Sequence, residues 1–196
     1  MRCPAIEHPD PPLADPAALG PLLARLAAAD PVAADETYPL GTLRADGRID
    51  LCKQGLGPDG AARLLPAAAA SPHAAHLLLG TNGIGDDGAR TVAEALRPGH
   101  GLRTLYLGCN RVGPAGAAAL ARALPGSPLR TLELRHTGLT GRGAKALLAA
   151  VPDDSALEYV GLGPGLPRRV KRDFRRRVRP ARPAHPDLRA IGSVHR

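Results

Sequence analysis

Residues 102–113 read Leu-Arg-Thr-Leu-Tyr-Leu-Gly-Cys-Asn-Arg-Val-Gly, and they are the clearest copy of a motif that runs through the chain. The frame Leu-x-x-Leu-x-Leu-x-x-Asn-x-Val-Gly recurs, with substitutions, at 49–57, 77–85, 129–140 and 157–165. The asparagine position is separated by 28, 28, 27 and 28 residues and is held in turn by Gln54, Asn82, Asn110, Thr137 and Gly165. A unit this short cannot bury its own apolar face, so the units must stack around one shared core. The sequence therefore predicts a solenoid.

Each unit is predicted to contain a short strand followed by a helix. Leu105 and Leu107 alternate with residues of the opposite face, which is the two-residue period of a strand. A glycine-rich bend follows, and a helix starts where a glycine precedes an alanine, at Gly60, Gly88, Gly116 and Gly143. Because a helix joins each strand to the next, the sheet must be parallel, with strands on one side and helices on the other.

The frame, the unit length of about 28 residues and the Gly-x-x-Gly-Ala helix start resemble the ribonuclease-inhibitor type of leucine-rich repeat over residues 46–165. This resemblance implies an α/β solenoid of four or five units. The expected shape is a short right-handed horseshoe with a parallel concave sheet, convex helices and capping helices, and with partner proteins bound on the concave side or rim. The sequence departs from the pattern at Gln54, Thr137 and Gly165, and at Thr140, which replaces the glycine of the bend.

Residues 1–45 lie outside the repeats and are predicted to form an N-terminal extension with a capping helix. Asp15 and Pro16 provide a helix start, after which leucines recur at helical spacing. Residues 30–43 are predicted to connect this helix to the repeats, which are assigned to residues 46–167. A cap of this kind covers the apolar end of the first repeat, which would otherwise face water.

The last segment, residues 168–196, is strongly basic. It contains 11 Lys and Arg residues against two Asp residues, whereas residues 1–167 contain 15 basic and 16 acidic residues. Val170, Phe174 and Val178 recur every four residues, which predicts a C-terminal cap helix with one apolar stripe, followed by a disordered tail. The charge favours an anionic partner such as nucleic acid, an anionic membrane surface or an acidic protein. The candidate nucleic-acid-binding residues are Arg168, Arg169, Lys171, Arg172, Arg175, Arg176 and Arg177.

The composition indicates a bacterial, cytoplasmic protein. Arg outnumbers Lys by 23 to 3, which is typical of a GC-rich genome, and aromatic residues make up only 2%, so the core must be aliphatic. No window approaches 18 uncharged apolar residues and the N-terminus has no apolar signal region, so neither a membrane span nor a secretion signal is predicted. Three cysteines without zinc-type spacing fit a reducing compartment.

Two glycine patterns imitate a dinucleotide-binding fingerprint. Residues 55–60 and 83–88 both read Gly-x-Gly-x-x-Gly, each after a predicted strand and before a helix. Two copies 28 residues apart are what the bend of a repeat produces, and Asp86 and Asp87 would repel a pyrophosphate. No cofactor is therefore predicted.

Cys109 and His136 hold the same position in neighbouring repeats, just before the asparagine position. Their side chains are expected about one strand spacing apart, and a thiol beside an imidazole is the minimum of a nucleophile and its base. However, no third group is placed to orient the imidazole, and an open face does not exclude water. The sequence therefore predicts a non-catalytic pair, no metal site and no enzyme activity.

The outward strand positions are predicted to form the recognition surface. Tyr106 and Tyr159 are the natural anchors, because aromatic side chains combine a large contact area with a polar tip. The competing interpretation is that any solenoid must fill these positions. The candidate protein-binding residues are Arg48, Asp50, His76, Leu78, Thr104, Tyr106, Thr131, Glu133, Arg135 and Tyr159.

The predicted function is that of an intracellular scaffold or adaptor, which binds an unidentified partner protein on the concave face. Two alternatives stay open. One is nucleic-acid or ribosome association through the arginine-rich segment. The other is a GTPase-activating-like regulator, since similar repeats occur in GTPase-activating proteins.

Overall fold

Seven strands lie side by side in chain order in one sheet, and a helix follows each of the last five. The computed structural model describes residues 10–96, 98–153 and 155–178. The strands are β1 (Glu36–Thr37), β2 (Thr42–Leu43), β3 (Arg48–Asp50), β4 (His76–Leu78), β5 (Thr104–Tyr106), β6 (Thr131–Leu134) and β7 (Tyr159–Leu162). The helices are α1 (Gly20–Ala27), α2 (Gly57–Ala70), α3 (Gly85–Ala95), α4 (Pro114–Ala123), α5 (Gly141–Ala150) and α6 (Arg168–Arg177), and a 3-10 helix (Pro16–Leu19) leads into α1.

Strands β3 to β7 are parallel, and equivalent residues of successive repeats pair with one another. Leu77, for example, pairs with Ile49 on one side and with Leu105 on the other. The repeats therefore stack in register, with the sheet on one side and the helices on the other. The predicted α/β solenoid is confirmed.

One continuous aliphatic core fills the space between the sheet and the helices. Burying a leucine side chain contributes about 2 kcal/mol, so these residues supply much of the stability. In the first four repeats, the second inward strand residue and the central inward helix residue are at most 1% exposed, namely Leu51, Leu79, Leu107, Leu134, Leu64, Val92, Leu120 and Leu147. In the fifth repeat, Val160 and Leu162 are half-buried.

The N-terminal end of the sheet carries two strands that the sequence did not reveal. Strand β1 pairs antiparallel with β2, and β2 pairs antiparallel with β3. The prediction of a plain connection over residues 30–43 is wrong in this respect, because strands of two residues show no alternation that a pattern could detect. Next to them, α1 buries Leu22 and Leu26 and packs against α2.

Asn110 ties its repeat to the preceding one at the point where the strand ends. Its Oδ1 accepts hydrogen bonds from the backbone N–H groups of Asn82 at 3.0 Å and Ile84 at 3.2 Å. Its Nδ2 donates to the carbonyl groups of Leu79 at 2.8 Å and Leu107 at 3.0 Å. The side chain is 1% exposed, so these backbone groups depend on it in place of water.

Asn82 forms the same bonds one repeat earlier, and the series ends at Thr137. Oδ1 of Asn82 accepts from the N–H groups of Gln54 and Leu56, and its Nδ2 donates to the carbonyl of Leu51. The hydroxyl of Thr137 instead donates to the carbonyl of Leu134 in its own repeat at 2.9 Å. The asparagine ladder, meaning Asn82 and Asn110 with their backbone partners, therefore links the first three repeats.

A second repeated position lies where a helix turns back toward the next strand. Ser127 and Ser155 each accept the backbone N–H two residues further on, and Ser71, which lies one residue earlier in the register, forms the same type of bond. In the remaining turn this position belongs to His100, whose Nδ1 accepts the N–H of Leu102 at 3.1 Å while Nε2 lies 3.0 Å from Oγ of Ser127. Burial lowers the pKa of His100, and the ring must also be neutral for Nδ1 to accept the hydrogen bond from Leu102.

We expect His100→Ser to reduce the dependence of stability on pH. In the wild type the unfolded chain binds a proton on this imidazole at a higher pH than the folded chain does. Its stabilising contribution is therefore complete above the ordinary His pKa of 6.5 and declines as the pH falls below it. Serine accepts the same N–H without titrating. Thermal midpoints between about pH 7.5 and about pH 5 should fall further in the wild type than in the variant, and parallel curves would contradict this prediction.

Helix α6 closes the C-terminal end of the core. Val170 and Phe174 are each 3% exposed and Val178 is 5% exposed, so the predicted apolar stripe faces the last repeat. The predicted disordered tail, from Pro180 onward, lies outside the described residues. Among the helices that the structure describes, none is both long enough and apolar enough to cross a membrane.

Candidate binding surface on the concave face

The concave face is the side of the sheet that points away from the helices. Because side chains alternate along a strand, every second residue lies on it, and the register of β3 to β7 aligns these residues in three rows. The first row is Arg48, His76, Thr104, Thr131 and Tyr159. The second is Asp50, Leu78, Tyr106, Glu133 and Gly161, and the third is Cys52, Gly80, Gly108, Arg135 and Gly163.

Tyr106 lies at the centre of this face and is only 2% exposed. It packs with Leu78 and Cys52 in a small apolar cluster. Two glycines of the third row make room for its ring, because a Cβ on Gly80 would collide with the ring and a Cβ on Gly108 would lie 2.8 Å from the hydroxyl oxygen. Burial raises the pKa of Tyr106. The ring is therefore part of the folded framework.

Glu133, in the same row, is a fully buried carboxylate. Its Oε1 accepts the backbone N–H of Arg135 at 2.8 Å, and its Oε2 accepts Nε and Nη2 of the same residue at 2.9 and 2.7 Å. This bonding raises the pKa of Arg135. A Cβ on Gly161 would collide with the carboxylate of Glu133, and the absence of a side chain at Gly161 therefore leaves room for it. Beside it, the pKa of Tyr159 is raised, mainly by burial and also by the charge of Glu133.

All ten predicted protein-binding residues lie on the concave face, but only part of them is accessible. Arg135 is exposed, and Arg48, Asp50, His76 and Tyr159 are half-buried. The interpretation of Tyr106 as an accessible anchor does not fit its burial, because the pattern of one strand does not reveal the glycines of neighbouring strands. The buried members are Leu78, Thr104, Tyr106, Thr131 and Glu133.

Cys109 and His136 occupy a backbone position with a special conformation. Their φ angles are 59° and 56°, and Lys53 and Thr81 hold the same position in the first two repeats with φ angles of 60° and 56°. Such angles are unusual for residues with side chains, so the position serves the turn at the end of each strand. Burial raises the pKa of Cys109, and it raises that of Cys52 to about 12, which keeps both thiols protonated and unreactive at neutral pH. Within the described residues, no three His, Cys, Asp or Glu side chains are grouped to hold a metal ion.

The second glycine pattern, residues 83–88, has its own structural task. Oδ1 of Asp86 accepts the backbone N–H groups of Gly113 at 2.7 Å and Gly116 at 2.9 Å, which lie at the start of α4 in the next repeat. The side chain therefore caps a neighbouring helix. Asp87 forms an ion pair with Arg90. These contacts fit the interpretation of the pattern as a repeat bend.

The seven candidate nucleic-acid-binding residues all lie on α6, away from the concave face. Lys171 is half-buried and donates to the carbonyl of Pro164 at 2.9 Å. Arg177 donates to the carbonyl of Val151 at 2.8 Å. The others are exposed.

The glycines of the third row were not among the predicted site residues. Gly80, Gly108 and Gly163 hold the same outward position in three of the five repeats. Glycine inside a strand pattern often marks a close approach by another group. The recurring glycine in this row therefore indicates that side chains at neighbouring positions occupy the space above it.

The sequence profile of the leucine-rich repeat matches residues 102–121 and 127–148. These stretches contain β5 with most of α4, and most of the next repeat, from the turn before β6 into α5. No curated protein matches the whole chain or a part of it.

Proposed function

Because the chain is an α/β leucine-rich repeat solenoid, we propose that it is a scaffold or adaptor that binds a partner protein on its concave face. Leucine-rich repeats generally mediate interactions between proteins. The observation that carries this proposal is the group of exposed and half-buried polar side chains around the packed centre of the face. This group consists of Arg48, Asp50, His76, Arg135 and Tyr159.

The order of the sheet supports such a role. The strands hold these side chains at fixed spacings before any partner arrives, so little backbone entropy is lost on association. Tyr106 and Glu133 stabilise the centre of the surface through packing and an ion pair. The recognition contacts then fall to the more exposed residues, above all Arg135 and Tyr159.

We assign the repeats to the ribonuclease-inhibitor type. The spacing of 27 to 28 residues and the two asparagines that bond the preceding repeat support this assignment. It concerns repeat architecture alone, and an inhibitory activity toward ribonucleases does not follow from it.

A non-catalytic role in the cytoplasm is part of the proposal. The raised pKa of Cys109 argues against an activated thiol beside His136. Cys52 and Cys109 are free thiols, which favours a reducing compartment. The alternative of a GTPase-activating-like regulator stays a prediction.

Tyr159→Ala is expected to weaken binding of the partner about tenfold or more, because it removes a half-buried aromatic ring from the recognition surface. The partner is first identified by affinity capture from a cytoplasmic extract of the source cells and then purified. Its dissociation constant is measured by calorimetry with wild-type protein and with each variant.

Two variants serve as controls for this experiment. Tyr159→Phe keeps the ring and should retain most of the affinity, whereas Arg63→Ala alters the convex side and should leave it unchanged. Thermal midpoints of all variants establish that they are folded. Equal affinity of wild type and a folded Tyr159→Ala would contradict binding through this face.

A further inference from the structure

The convex side carries a pronounced charge gradient along the solenoid. Helices α2 and α3 together contain two basic and four acidic residues, whereas α4, α5 and α6 contain ten basic residues and one acidic residue. The positive charge is concentrated on the last two helices. A concentration of one sign on one surface attracts and orients a polyanion.

Helices α5 and α6 lie side by side and point in the same direction. The Cβ position of Gly141, the first residue of α5, is 3.7 Å from Cδ of Pro167, which immediately precedes α6. At the other end, Nε of Arg177 donates to the carbonyl of Val151, just after α5, at 2.8 Å. The two N-termini are therefore level, and their partial positive charges add to the field on the same part of the surface.

The arginines of α6 fall on one face of the helix. At 100° per residue, five of them lie within an arc of about 120°, opposite the stripe of Val170 and Phe174 that packs on the core. Neighbours three or four residues apart on such a face are about 5–6 Å from each other. The five exposed members of this arc are Arg168, Arg169, Arg172, Arg175 and Arg176.

Most side chains of this arc have no polar partner among the described residues. In the described part of the chain, the side chains of Arg168, Arg169, Arg175 and Arg176 form no hydrogen bond and no ion pair, and that of Arg172 has only a 4.0 Å ion pair with Asp173. Binding an anion therefore does not require these guanidinium groups to give up existing contacts.

The outer face of α5 extends the basic surface. Arg142 and Lys145 are exposed, lie one helical turn apart and belong to a helix without acidic residues. They lie in the first half of α5, beside the first half of α6. The two helices together present one broad surface that carries basic side chains on both.

We propose that the outer faces of α5 and α6 bind the phosphate backbone of double-stranded nucleic acid without regard to its base sequence. A planar guanidinium matches two oxygens of a phosphate, and a row of arginines can contact successive phosphates. This activity is separate from the concave face and does not depend on the proposed protein partner.

The surface is less suited to the other polyanions. A lipid-surface helix inserts apolar side chains, whereas Val170 and Phe174 are each 3% exposed and are occupied by the core. Single strands are bound largely by stacking of bases on aromatic rings. Among the described residues, the only exposed large apolar side chain is that of Leu13, at the opposite end of the solenoid.

The test compares the full chain with two variants of equal charge, using fluorescence anisotropy of a labelled duplex of mixed sequence at several salt concentrations. The surface variant replaces four arginines by glutamine, Arg168, Arg169, Arg175 and Arg176. Its affinity at about 0.1 M salt should fall about a hundredfold or more, and the slope of log affinity against log salt should decrease by about 3 to 4. The control variant makes the same replacement at four exposed arginines elsewhere, Arg63, Arg90, Arg103 and Arg111.

The control variant should lose less than about threefold in affinity, because its arginines lie outside the α5 and α6 surface. Equal losses in the two variants would overturn the proposal in favour of net charge alone. Wild-type affinity in a folded surface variant would overturn it as well. The same holds if a single strand of equal length, or vesicles of phosphatidylserine, bind the wild type as tightly as the duplex.

Discussion

Asn110→Ala is expected to lower the free energy of unfolding by about 4 kcal/mol. The variant removes the side-chain partner of three backbone groups at a site that is 1% exposed, namely the N–H groups of Asn82 and Ile84 and the carbonyl of Leu79, and each such group costs about 1–3 kcal/mol before the structure relaxes. The carbonyl of Leu107 still accepts the backbone N–H of residue 110. All three groups belong to the preceding repeat, so the junction between repeats weakens together with the turn. Urea unfolding followed by circular dichroism measures the loss.

Thr137→Ala is the matched control for this prediction. Thr137 holds the same position one repeat later, but its hydroxyl donates to the carbonyl of Leu134 inside its own repeat. Its removal should lower the free energy of unfolding by only about 1 kcal/mol. Similar losses for the two variants would contradict the prediction, because they would show that bonds between repeats contribute no more to the free energy of unfolding than a bond within one repeat.

Arg135→Ala is expected to destabilise the fold by about 3 kcal/mol, although Arg135 is itself largely exposed. Its partner, Glu133, is fully buried and accepts three hydrogen bonds from Arg135. The variant removes the two from the guanidinium group and keeps the one from the backbone N–H. Removing one member of a pair with a buried charge costs about 3–5 kcal/mol, and the exposure of the arginine places the expected loss at the lower end. Urea unfolding again provides the measurement.

Two further variants test whether the buried carboxylate causes this loss. The double variant with Glu133→Gln and Arg135→Ala should recover about 2 kcal/mol, because it removes the uncompensated charge. Arg130→Ala breaks the more exposed ion pair with Glu158, at 3.1 Å, and should cost less than about 1 kcal/mol. Simple addition of the two single effects in the double variant would contradict the explanation.

The repeat pattern was sufficient to predict the architecture. Leucines such as Leu105 and Leu107 recur with a period of two within a repeat and of about 28 between repeats, and this double period permits one arrangement of sheet and helices. The apolar stripe of Val170 and Phe174 likewise predicted a helix that faces the core, as observed. The positions of these residues are set by burial in the core, and the regular spacing of buried apolar residues is visible in a single sequence.

The details of the concave face could not be predicted from a single strand. The burial of the Tyr106 ring against the sheet depends on Gly80 in the preceding repeat, and the burial of Glu133 depends on Gly161 in the following one. Such contacts join residues about 26 to 28 positions apart in sequence. Predicting them requires the register of the strands, which the structure provides.

The hydrogen bond of the His100 ring in its turn could not be predicted for a related reason. Serine holds this position in the two following turns, and a histidine there gives no hint that its ring nitrogen replaces a hydroxyl as the acceptor. Only the packed structure reveals that two residue types of different chemistry perform the same backbone task.

The ties between repeats described here each join immediate neighbours: Asn110 bonds the turn at Asn82, Asp86 bonds the start of α4, and His100 bonds Ser127. The tilt of one repeat against the next is thus fixed locally and passed on to everything further along the chain. A substitution at one of these junctions can redirect the α5 and α6 surface relative to the concave face while leaving both intact. If both proposed partners bind, their mutual orientation is determined by residues that touch neither of them.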